Sequence, residues 1–443
     1  MEVPGIIGGS RISKFYGQVI KQLNIALENE KFKARNIRDA KCFIRNRALT
    51  FKHLVVLLMT QLQRSVQREI DDFVSRISDP DCSLTRVSKA AFTKARKKLK
   101  HGAFRELSDI VVAEFYKDGP TRKDWRGYRV IAGDGSKVEL PNSEEIIEKF
   151  GIHSVRSDGK IISVATLFEL YDPVNNMCLA GAIDGFKVSE SELLWRLLGE
   201  KQYGQGDLFV FDRYFFSTLF ALYFQKIGAD FCFRIKGNAK MVKALLKRKG
   251  KDGIFELKLH SKFKNQAKAL AIEARTIKCR VSIVNLPNGE NEYLLSSFLD
   301  QKKFSLQDLK EVYFLRWGIE EHYKKLKHKV CLENFSGKSV ESIYQDFYAK
   351  IFIINLTAAL IHPVDHLLSE KPKKKYIHKV NFTDALSKMK YAPIKLFLEK
   401  KVKEAIATLH EWFTRSTIPI RKGRTVNRHA IPKRKYPQNY KPA

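Results

Sequence analysis

The sequence predicts a mixed α/β fold, in which helices cover both faces of a sheet and further helices precede and follow it. Three observations support this prediction. Apolar residues recur at helical spacing at 20–32 and 51–77. From about residue 127, β-branched apolar segments bounded by Gly, Asp, Pro and Asn alternate with segments of helical length. Helical patterns return after residue 305. Alternation of this kind favours a sheet that is buried on both faces.

The first region, 1–120, is predicted to be helical. Its pattern breaks at Asp79-Pro80-Asp81, because proline and flanking aspartates disfavour a continuing helix. The segment LTRVSKAAFTKARKKLK at 84–100 then predicts an amphipathic helix or a helix–turn–helix with a densely basic end. A basic face of this kind is either simply solvated or contacts DNA, and the pattern leaves both interpretations open.

The second region, 121–237, predicts the first part of the sheet. Its strands are short, apolar and closely followed by turn residues or helices. In chain order, the predicted elements are strands at 128–140, 160–172 and 176–185, a helix at 191–200, a strand at 206–215, a helix at 217–228 and a strand at 230–237.

The remaining chain predicts three further regions. Residues 238–304 alternate like antiparallel strands, with a turn signal at Asn288-Gly289, and indicate a β-rich insertion. In 305–362, a long helix covers 305–330 with Ser305 as N-cap, and another covers 339–362. In 363–443, a helix at 382–412 precedes a basic tail that begins at Arg421 and is expected to be extended until bound.

The charge of the chain indicates the class of its partner. Lys and Arg number 81 against 48 Asp and Glu, for a formal net charge of +33. A polyanion is the expected partner, because each neutralised phosphate releases condensed counterions. The N-terminus carries no apolar stretch of signal-peptide length, and the apolar runs 54–59 and 351–361 are too short to span a bilayer. We therefore expect a cytoplasmic, nucleoid-associated protein without a membrane partner.

The six cysteines are far apart in sequence and form no C-x-x-C pair. This spacing disfavours a zinc ribbon, and free buried thiols are expected.

The helix at 305–330 carries the first candidate site residues. At about 100° per residue, Tyr313, Arg316, Glu320 and Lys327 fall on one narrow face at the margin of an apolar stripe, whereas Glu321 lies further towards solvent. Glu320 is therefore the candidate for chemistry. The alternative is an ordinary surface ion pair between Arg316 and Glu320, which would contribute about half a kcal/mol.

Two aspartates at predicted strand ends complete the candidate site. Asp134 lies between Gly133 and Gly135, and Asp212 follows four apolar residues. A strand-end aspartate is commonly a turn former, but the carboxyl ends of strands are also where sites gather in α/β sheets. Three carboxylates without a His or Cys partner suit Mg²⁺ or Mn²⁺ better than zinc. Two such ions could activate a water or a 3′-hydroxyl at one phosphorus.

These residues resemble a known family, the DDE transposases of the insertion-sequence-four family. The helix matches that family's Y-x2-R-x3-E-x6-K signature at Tyr313, Arg316, Glu320 and Lys327.

The aspartates fit the same family. Asp134, within GDGS, matches its first aspartate, and Asp212, within DRYF, matches its second. The resemblance covers about residues 80–360.

The resemblance implies an RNase H-like core that is interrupted by the β-rich insertion, and an N-terminal region, 1–120, that binds transposon ends. It implies metal-dependent, cut-and-paste transposition of a bacterial or archaeal insertion sequence by a homodimer acting on double-stranded DNA. The implied cofactor is a pair of Mg²⁺ ions, for which Mn²⁺ can substitute, held by the catalytic residues Asp134, Asp212 and Glu320.

The expected DNA-binding residues are Tyr313, Arg316, Lys327, Arg213 and Lys236. Lys236, at the end of the strand at 230–237, is either a DNA contact or a solvated loop lysine.

Two alternatives from other functional classes remain. In the first, the chain is a DNA-binding protein that is derived from a transposase and has no catalytic activity. In the second, it is an RNase H-like nuclease that only hydrolyses DNA. The presence of all three carboxylates argues against the first alternative.

Overall fold

The structure is a computed structural model. It describes residues 9–45, 49–60, 62–77, 87–118, 122–155, 157, 159, 161–286, 289–370, 376–399 and 401–421. The Asp79-Pro80-Asp81 breaker, Asn288 of the predicted turn and the basic tail after Arg421 lie outside these residues.

Among the described residues, six helices precede the sheet. They are α1 (Gly9–Glu28), α2 (Glu30–Asn36), α3 (Phe51–Met59), α4 (Val66–Arg76), α5 (Lys89–Arg96) and α6 (Gly102–Asp118). The region predicted as one helix at 51–77 is therefore two helices. The carboxylate of Glu69 accepts hydrogen bonds from the backbone amides of Gln63 (3.0 Å) and Arg64 (2.8 Å), and so stabilises the connecting loop in a non-helical form.

The central part of the chain confirms the alternation of strands and helices. Its elements are β1 (Arg129–Leu140), α7 (Glu144–Phe150), β2 (Ser154–Val155), β3 (Ile161–Asp172), β4 (Met177–Gly185), α8 (Glu190–Glu200), β5 (Asp207–Phe211), α9 (Thr218–Lys226) and β6 (Asp230–Arg234). Strands β1, β3 and β4 form an antiparallel meander, and β5 and β6 then add in parallel beside β1. This arrangement is that of an RNase H-like core, so the predicted fold class is confirmed.

The segment predicted as an insertion continues the same sheet. It contains α10 (Lys240–Lys247), β7 (Asp252–Lys258), α11 (Lys264–Ala269), β8 (Thr276–Asn285) and β9 (Asn291–Ser296). Strand β9 pairs antiparallel with β6, and β8 and β7 follow it, so the strand order is β2-β3-β1-β5-β6-β9-β8-β7 with β4 also on β3. The β-rich segment therefore extends the sheet rather than forming a separate layer.

The long helix predicted at 305–330 is present as three consecutive helical segments. These are α12 (Leu306–Leu315), α13 (Trp317–Lys324) and a π-helical turn (Lys325–Lys329). Ser305 is the N-cap as predicted, and it forms a capping box with Asp308. Arg316 joins α12 to α13 in helical conformation, so the predicted apolar stripe holds, and Val312, Ile319, Leu326 and Val330 are all buried.

Helix α14 (Val340–Glu370) runs through the core. By length and composition it could cross a membrane, with a mean hydropathy of 1.6 over its most apolar window, but 78% of that window is buried inside the protein. Tyr16 of α1 donates a hydrogen bond to the carbonyl of Leu360 in α14 at 2.7 Å. These features are typical of a core helix on which other helices pack.

The C-terminal elements are β10 (His378–Val380), α15 (Phe382–Lys388), α16 (Ala392–Phe397), α17 (Val402–Arg415) and β11 (Thr417–Pro419). The single helix predicted at 382–412 is thus three helices. Pro393 accounts for the break between α15 and α16, because it lies in the first turn of α16 and cannot continue a preceding helix. The amide of Asn24 in α1 donates to the carbonyl of Leu396 at 3.1 Å, so the N-terminal and C-terminal helices contact each other.

Candidate functional site

The two predicted aspartates lie side by side at one edge of the parallel strands. Strands β1 and β5 pair in parallel with Gly133 opposite Phe211, so that Asp134 and Asp212 occupy the next position of the same register. Asp134 does not end β1, which continues to Leu140, but it lies where the pairing with β5 stops. Residues in register on neighbouring strands point to the same face, so the sheet brings these two carboxylates together.

The glycine before Asp134 makes this close pairing possible. A Cβ atom on Gly133 would overlap the ring of Phe211, which packs directly against the strand. Gly133 therefore allows Phe211 to pack closely against β1, and Asp134 follows directly at the margin of this apolar packing.

The carboxyl of Asp134 is in an unfavourable electrostatic environment. Burial, together with the negative charges of Asp212 and Glu190, raises its pKa from the ordinary 3.8 to about 6, against the opposing effects of the Gly135 amide and of Arg316. The Gly135 amide donates to Asp134 Oδ1 at 2.9 Å. A buried carboxyl with other carboxyls beside it is the environment in which a bound cation lowers the free energy most.

Helix α13, which carries Glu320, is fastened to the strand that carries Asp134. The hydroxyl of Tyr323 donates to the backbone carbonyl of Asp134 at 2.8 Å. One residue earlier, His322 Nε2 lies 2.6 Å from Oε2 of Glu169, and Glu169 is the cross-strand partner of Asp134 on β3. Both contacts are made in the interior, so the position of α13 over β1 and β3 is well determined.

The adjacent glutamates differ as the helical phase predicts. Glu320 Oε1 accepts from Nη2 of Arg316 at 3.1 Å, and its side chain is 34% exposed. Glu321 is 61% exposed and pairs with Lys324 on the outer face. The ion pair between Arg316 and Glu320 therefore exists, but Arg316 is only 6% exposed and its charge also acts on Asp134. It is a buried link between the two carboxylates, which an ordinary surface pair would not be.

The predicted DNA-binding residues lie in different environments. Tyr313 is buried, with 1% of its surface exposed, and the guanidinium of Arg316 lies 5.6 Å from its ring centroid. Lys327 is half-buried and donates to the carbonyl of Lys137 at 2.8 Å. Arg213 and Lys236 are exposed near the ends of β5 and β6. The DNA contacts of all five residues stay predictions, and in this structure Tyr313 packs against Arg316.

A fourth carboxylate, which the sequence analysis did not single out, lies at the same edge. Glu190 begins α8, and a Cβ atom on Gly135 would overlap its carboxyl group. Its pKa is raised by burial and by the charge of Asp212, against the opposing charge of Lys137. The motif Ser189-Glu190, an N-cap followed by an acidic first turn, was the only local signal, and it is common to many helices.

The chemistry of these residues fits a hard divalent cation. Four carboxylates, from Asp134, Asp212, Glu190 and Glu320, face two basic side chains, from Arg316 and Lys137, and so carry a surplus of negative charge. Oxygen donors without a thiolate or imidazole are typical of Mg²⁺ and Mn²⁺ sites. In the described part of the chain, no three of these four residues have their ligand atoms within 4.8 Å of one another, so a bound cation would draw the side chains closer.

One group of residues does meet that spacing, but it is not this site. Glu169, Cys178 and His322 lie within 4.8 Å of one another and are buried. The distance of 2.6 Å between Glu169 and His322 is that of a hydrogen bond, shorter than the roughly 3.3 Å that separates two oxygen or nitrogen ligands of one tetrahedral zinc. We therefore interpret this group as the pair that fastens α13.

Comparison with known proteins gives three similarities. A family model described as a transposase DDE domain matches residues 125–356. Transposase InsG for insertion sequence element IS4, from Escherichia coli (strain K12), is 21% identical over 292 residues, or 65% of this chain. The alignment spans 64% of that relative, which is less than two thirds of its length. The cryo-EM structure of the piggyBac transposase synaptic complex with hairpin DNA aligns with 94% of this chain and 84% of its own at 10% identity and a TM-score of 0.42.

The region matched by the family model contains all four carboxylates of the site, Asp134, Glu190, Asp212 and Glu320. The family model and the curated relative both agree with the resemblance drawn from the sequence, which is thereby confirmed.

Proposed function

The chain belongs to the transposase DDE domain family, and on that premise we propose that it cuts DNA at the ends of an insertion sequence and joins those ends to a target. The observation that supports this proposal best is the parallel register of β1 and β5, in which Asp134 and Asp212 directly follow the last paired residues, Gly133 and Phe211. The hydrogen bond from Tyr323 to the carbonyl of Asp134 holds the helix of Glu320 beside them.

In this proposal Asp134, Asp212 and Glu320 hold Mg²⁺ ions, for which Mn²⁺ substitutes. Bound ions of this kind lower the pKa of a water or a 3′-hydroxyl and stabilise the leaving oxygen at the scissile phosphate. Neighbouring side chains fix the positions of these three carboxylates. The hydroxyl of Tyr323 and the buried pair of His322 with Glu169 hold α13, which carries Glu320, in place over β1 and β3.

Arg316 has a further role in the proposal. Its guanidinium pairs with Glu320 and lies in the field of Asp134. A DNA phosphate that enters the site would compete with Glu320 for this guanidinium, since arginine binds phosphate oxygens in bidentate geometry. Binding of DNA would then release the Glu320 carboxylate for a metal ion, and would couple substrate entry to assembly of the ligand set.

The remaining positive charge serves the DNA in this proposal. Arg213, Lys236 and Lys327 would contact phosphates near the cleaved bond, and the exposed lysines of α5 would contact the transposon end further away. The partner is double-stranded DNA, from element ends and target, bound by a homodimer in the cytoplasm. The net charge of +33 supports a polyanionic partner.

The test uses the full chain and a duplex that carries the inverted repeats flanking its reading frame. With Mg²⁺ we expect cleavage at the repeat ends and joined products with a target plasmid. The variants Asp134→Asn, Asp212→Asn and Glu320→Gln should lose at least about a hundredfold in rate while still binding the duplex. Glu321→Gln is the matched control and should keep wild-type activity.

Two results would contradict the proposal. Activity retained by Asp134→Asn would exclude the metal site as described. Cleavage without any joined product would identify a nuclease that only hydrolyses DNA.

A further inference from the structure

Glu190 lies at the candidate site by virtue of its helix, far in sequence from the residues that resemble the family signature. Ser189 caps α8, its side chain accepting from the amide of Glu192, and the helix begins with Glu190 directly over β1. The carboxyl group of Glu190 rests on the backbone of Gly135, the residue that follows Asp134. The side chain thus reaches the strand within one residue of a predicted metal ligand.

The carboxylate of Glu190 also faces the second aspartate. The charge of Asp212 acts on Glu190, and the charges of both Asp212 and Glu190 act on Asp134. The three carboxylates are therefore neighbours whose charges act on one another, although in the described part of the chain no three ligand atoms of this site lie within 4.8 Å of one another. Glu320 differs from them, because its carboxylate is held by Arg316 at 3.1 Å.

The surroundings of Glu190 do not neutralise it. Among the described residues it forms no hydrogen bond or ion pair, and Lys137 is the basic side chain whose charge opposes the burial of its carboxylate. Lys137 itself donates to Thr166 and to the carbonyl of Phe186. A second glutamate of the same helix shows the contrast, since Glu192 accepts from Arg196 at 2.6 Å and lies at the surface. A partly buried carboxylate that lacks a hydrogen bond or ion pair among the described residues is costly unless a ligand supplies the opposite charge.

From this geometry we propose that Glu190 is a further catalytic residue, a fourth carboxylate that binds the divalent cation between Asp134 and Asp212. The inference rests on the proposed function, which it deepens by adding a ligand to the same site. It also explains Gly135, because any side chain at that position would push the Glu190 carboxyl away from Asp134. In this arrangement Glu190 would hold a cation together with Asp134 and Asp212, and Glu320 would add its carboxylate when a phosphate competes for Arg316.

The test measures Mn²⁺ binding to the full chain by electron paramagnetic resonance, without DNA. Glu190→Gln should weaken Mn²⁺ binding by about tenfold or more, while the variant should unfold in EDTA at a temperature no lower than the wild type does, because the substitution removes a partly buried charge. Glu192→Gln is the matched control from the same helix, and should bind Mn²⁺ like the wild type.

A second variant tests the position of the carboxylate without removing it. In Gly135→Ala the new methyl group meets only the flexible end of Glu190, so the protein should fold while Mn²⁺ binding weakens as in Glu190→Gln. Cleavage of the duplex by both variants should fall by a similar factor.

The outcomes distinguish a failure of the Glu190 assignment from a failure of the proposed metal site. If Asp134→Asn weakens Mn²⁺ binding but Glu190→Gln does not, the assignment of Glu190 is wrong and the DDE site stands. If Asp134→Asn binds Mn²⁺ like the wild type, the site itself is wrong and the assignment of Glu190 fails with it.

Discussion

Two polar clusters of this molecule show opposite principles of construction. The Arg96 cluster (Arg96, Ser336, Ser342, Gln345 and Asp346) joins α5 to α14 and the loop before it, and is entirely buried. The carboxylate edge (Asp134, Glu190, Asp212 and Glu320 with Arg316) lies at the end of the parallel strands and is partly open to solvent.

The Arg96 cluster is complete within the protein. The guanidinium donates to Gln345 at 2.6 Å, Ser336 at 2.6 Å, the carbonyl of Ser342 at 2.9 Å and Asp346 at 2.7 Å. One positive and one negative charge cancel, and neutral groups satisfy the remaining donors. The carboxylate edge instead has more negative than positive groups.

This difference is one of charge balance. A buried charge is tolerated when the fold supplies its partner, and the Arg96 cluster meets that condition. The carboxylate edge keeps a surplus of negative charge, which a cation from outside would balance. The comparison also corrects an expectation about the basic helix at 84–100: Arg96, the last residue of α5, turns inward to the core, and only its exposed lysines remain available for DNA.

Removal of the charge from the Arg96 cluster should have the largest effect on stability. We expect Arg96→Met to lower the free energy of unfolding by about 3–5 kcal/mol, because Asp346 loses the buried guanidinium that pairs with it. Urea unfolding followed by circular dichroism measures this loss. Lys97→Met, at an exposed neighbouring position, is the control, and the double variant Arg96→Met with Asp346→Leu should recover part of the stability. A loss below about 1 kcal/mol would show that the cluster is not structural.

Removal of a charge from the carboxylate edge should instead stabilise the protein, by an amount that depends on pH. The folded pKa of Asp134, about 6, lies above its ordinary 3.8, so the ionised form is disfavoured by folding. Its penalty is complete above pH 6 and vanishes below about pH 4, where the group is protonated in both states. In EDTA, Asp134→Asn should therefore be more stable than the wild type at pH 8, by at most about 3 kcal/mol.

Urea unfolding at pH 8 and pH 4 measures this difference, with Glu321→Gln as an exposed control. Added Mn²⁺ should stabilise the wild type and not the variant, because a ligand stabilises only the state that binds it. Equal stability of wild type and Asp134→Asn at pH 8 would mean that the edge is neutralised within the protein, as the Arg96 cluster is.

The smallest expected effect is that of removing Lys327, a basic residue beside the carboxylate edge. Lys327→Ala should weaken DNA binding and reduce the slope of log affinity against log salt by about one ion. Fluorescence anisotropy across a salt series measures the slope, and Lys324→Ala, whose side chain pairs with Glu321, should change it less. An unchanged slope in Lys327→Ala would remove this lysine from the phosphate contacts.

Much of the site could be predicted from the sequence, because its signals are local. The choice of Glu320 over Glu321 followed from helical phase, and the structure bears out their relative exposure. The sequence also showed that glycines flank Asp134. It did not show that Phe211 and Glu190 would occupy the space beside them.

Other features had no local signal. Glu190 is one of many glutamates in a helical first turn, and only the packing of α8 on β1 brings it to Asp134. Strands β7 to β9 alternate like any antiparallel segment, and only the pairing of β9 with β6 joins them to the main sheet.

The sequence by itself therefore predicted the kinds of element, a polyanionic partner and three of the four carboxylates at this edge, since these predictions depend on residue type and on spacing along the chain. Only the tertiary structure decided which carboxylates share an edge and which charges are cancelled. Strand register and helix packing set the distances between residues far apart in sequence, and electrostatic interactions depend on those distances.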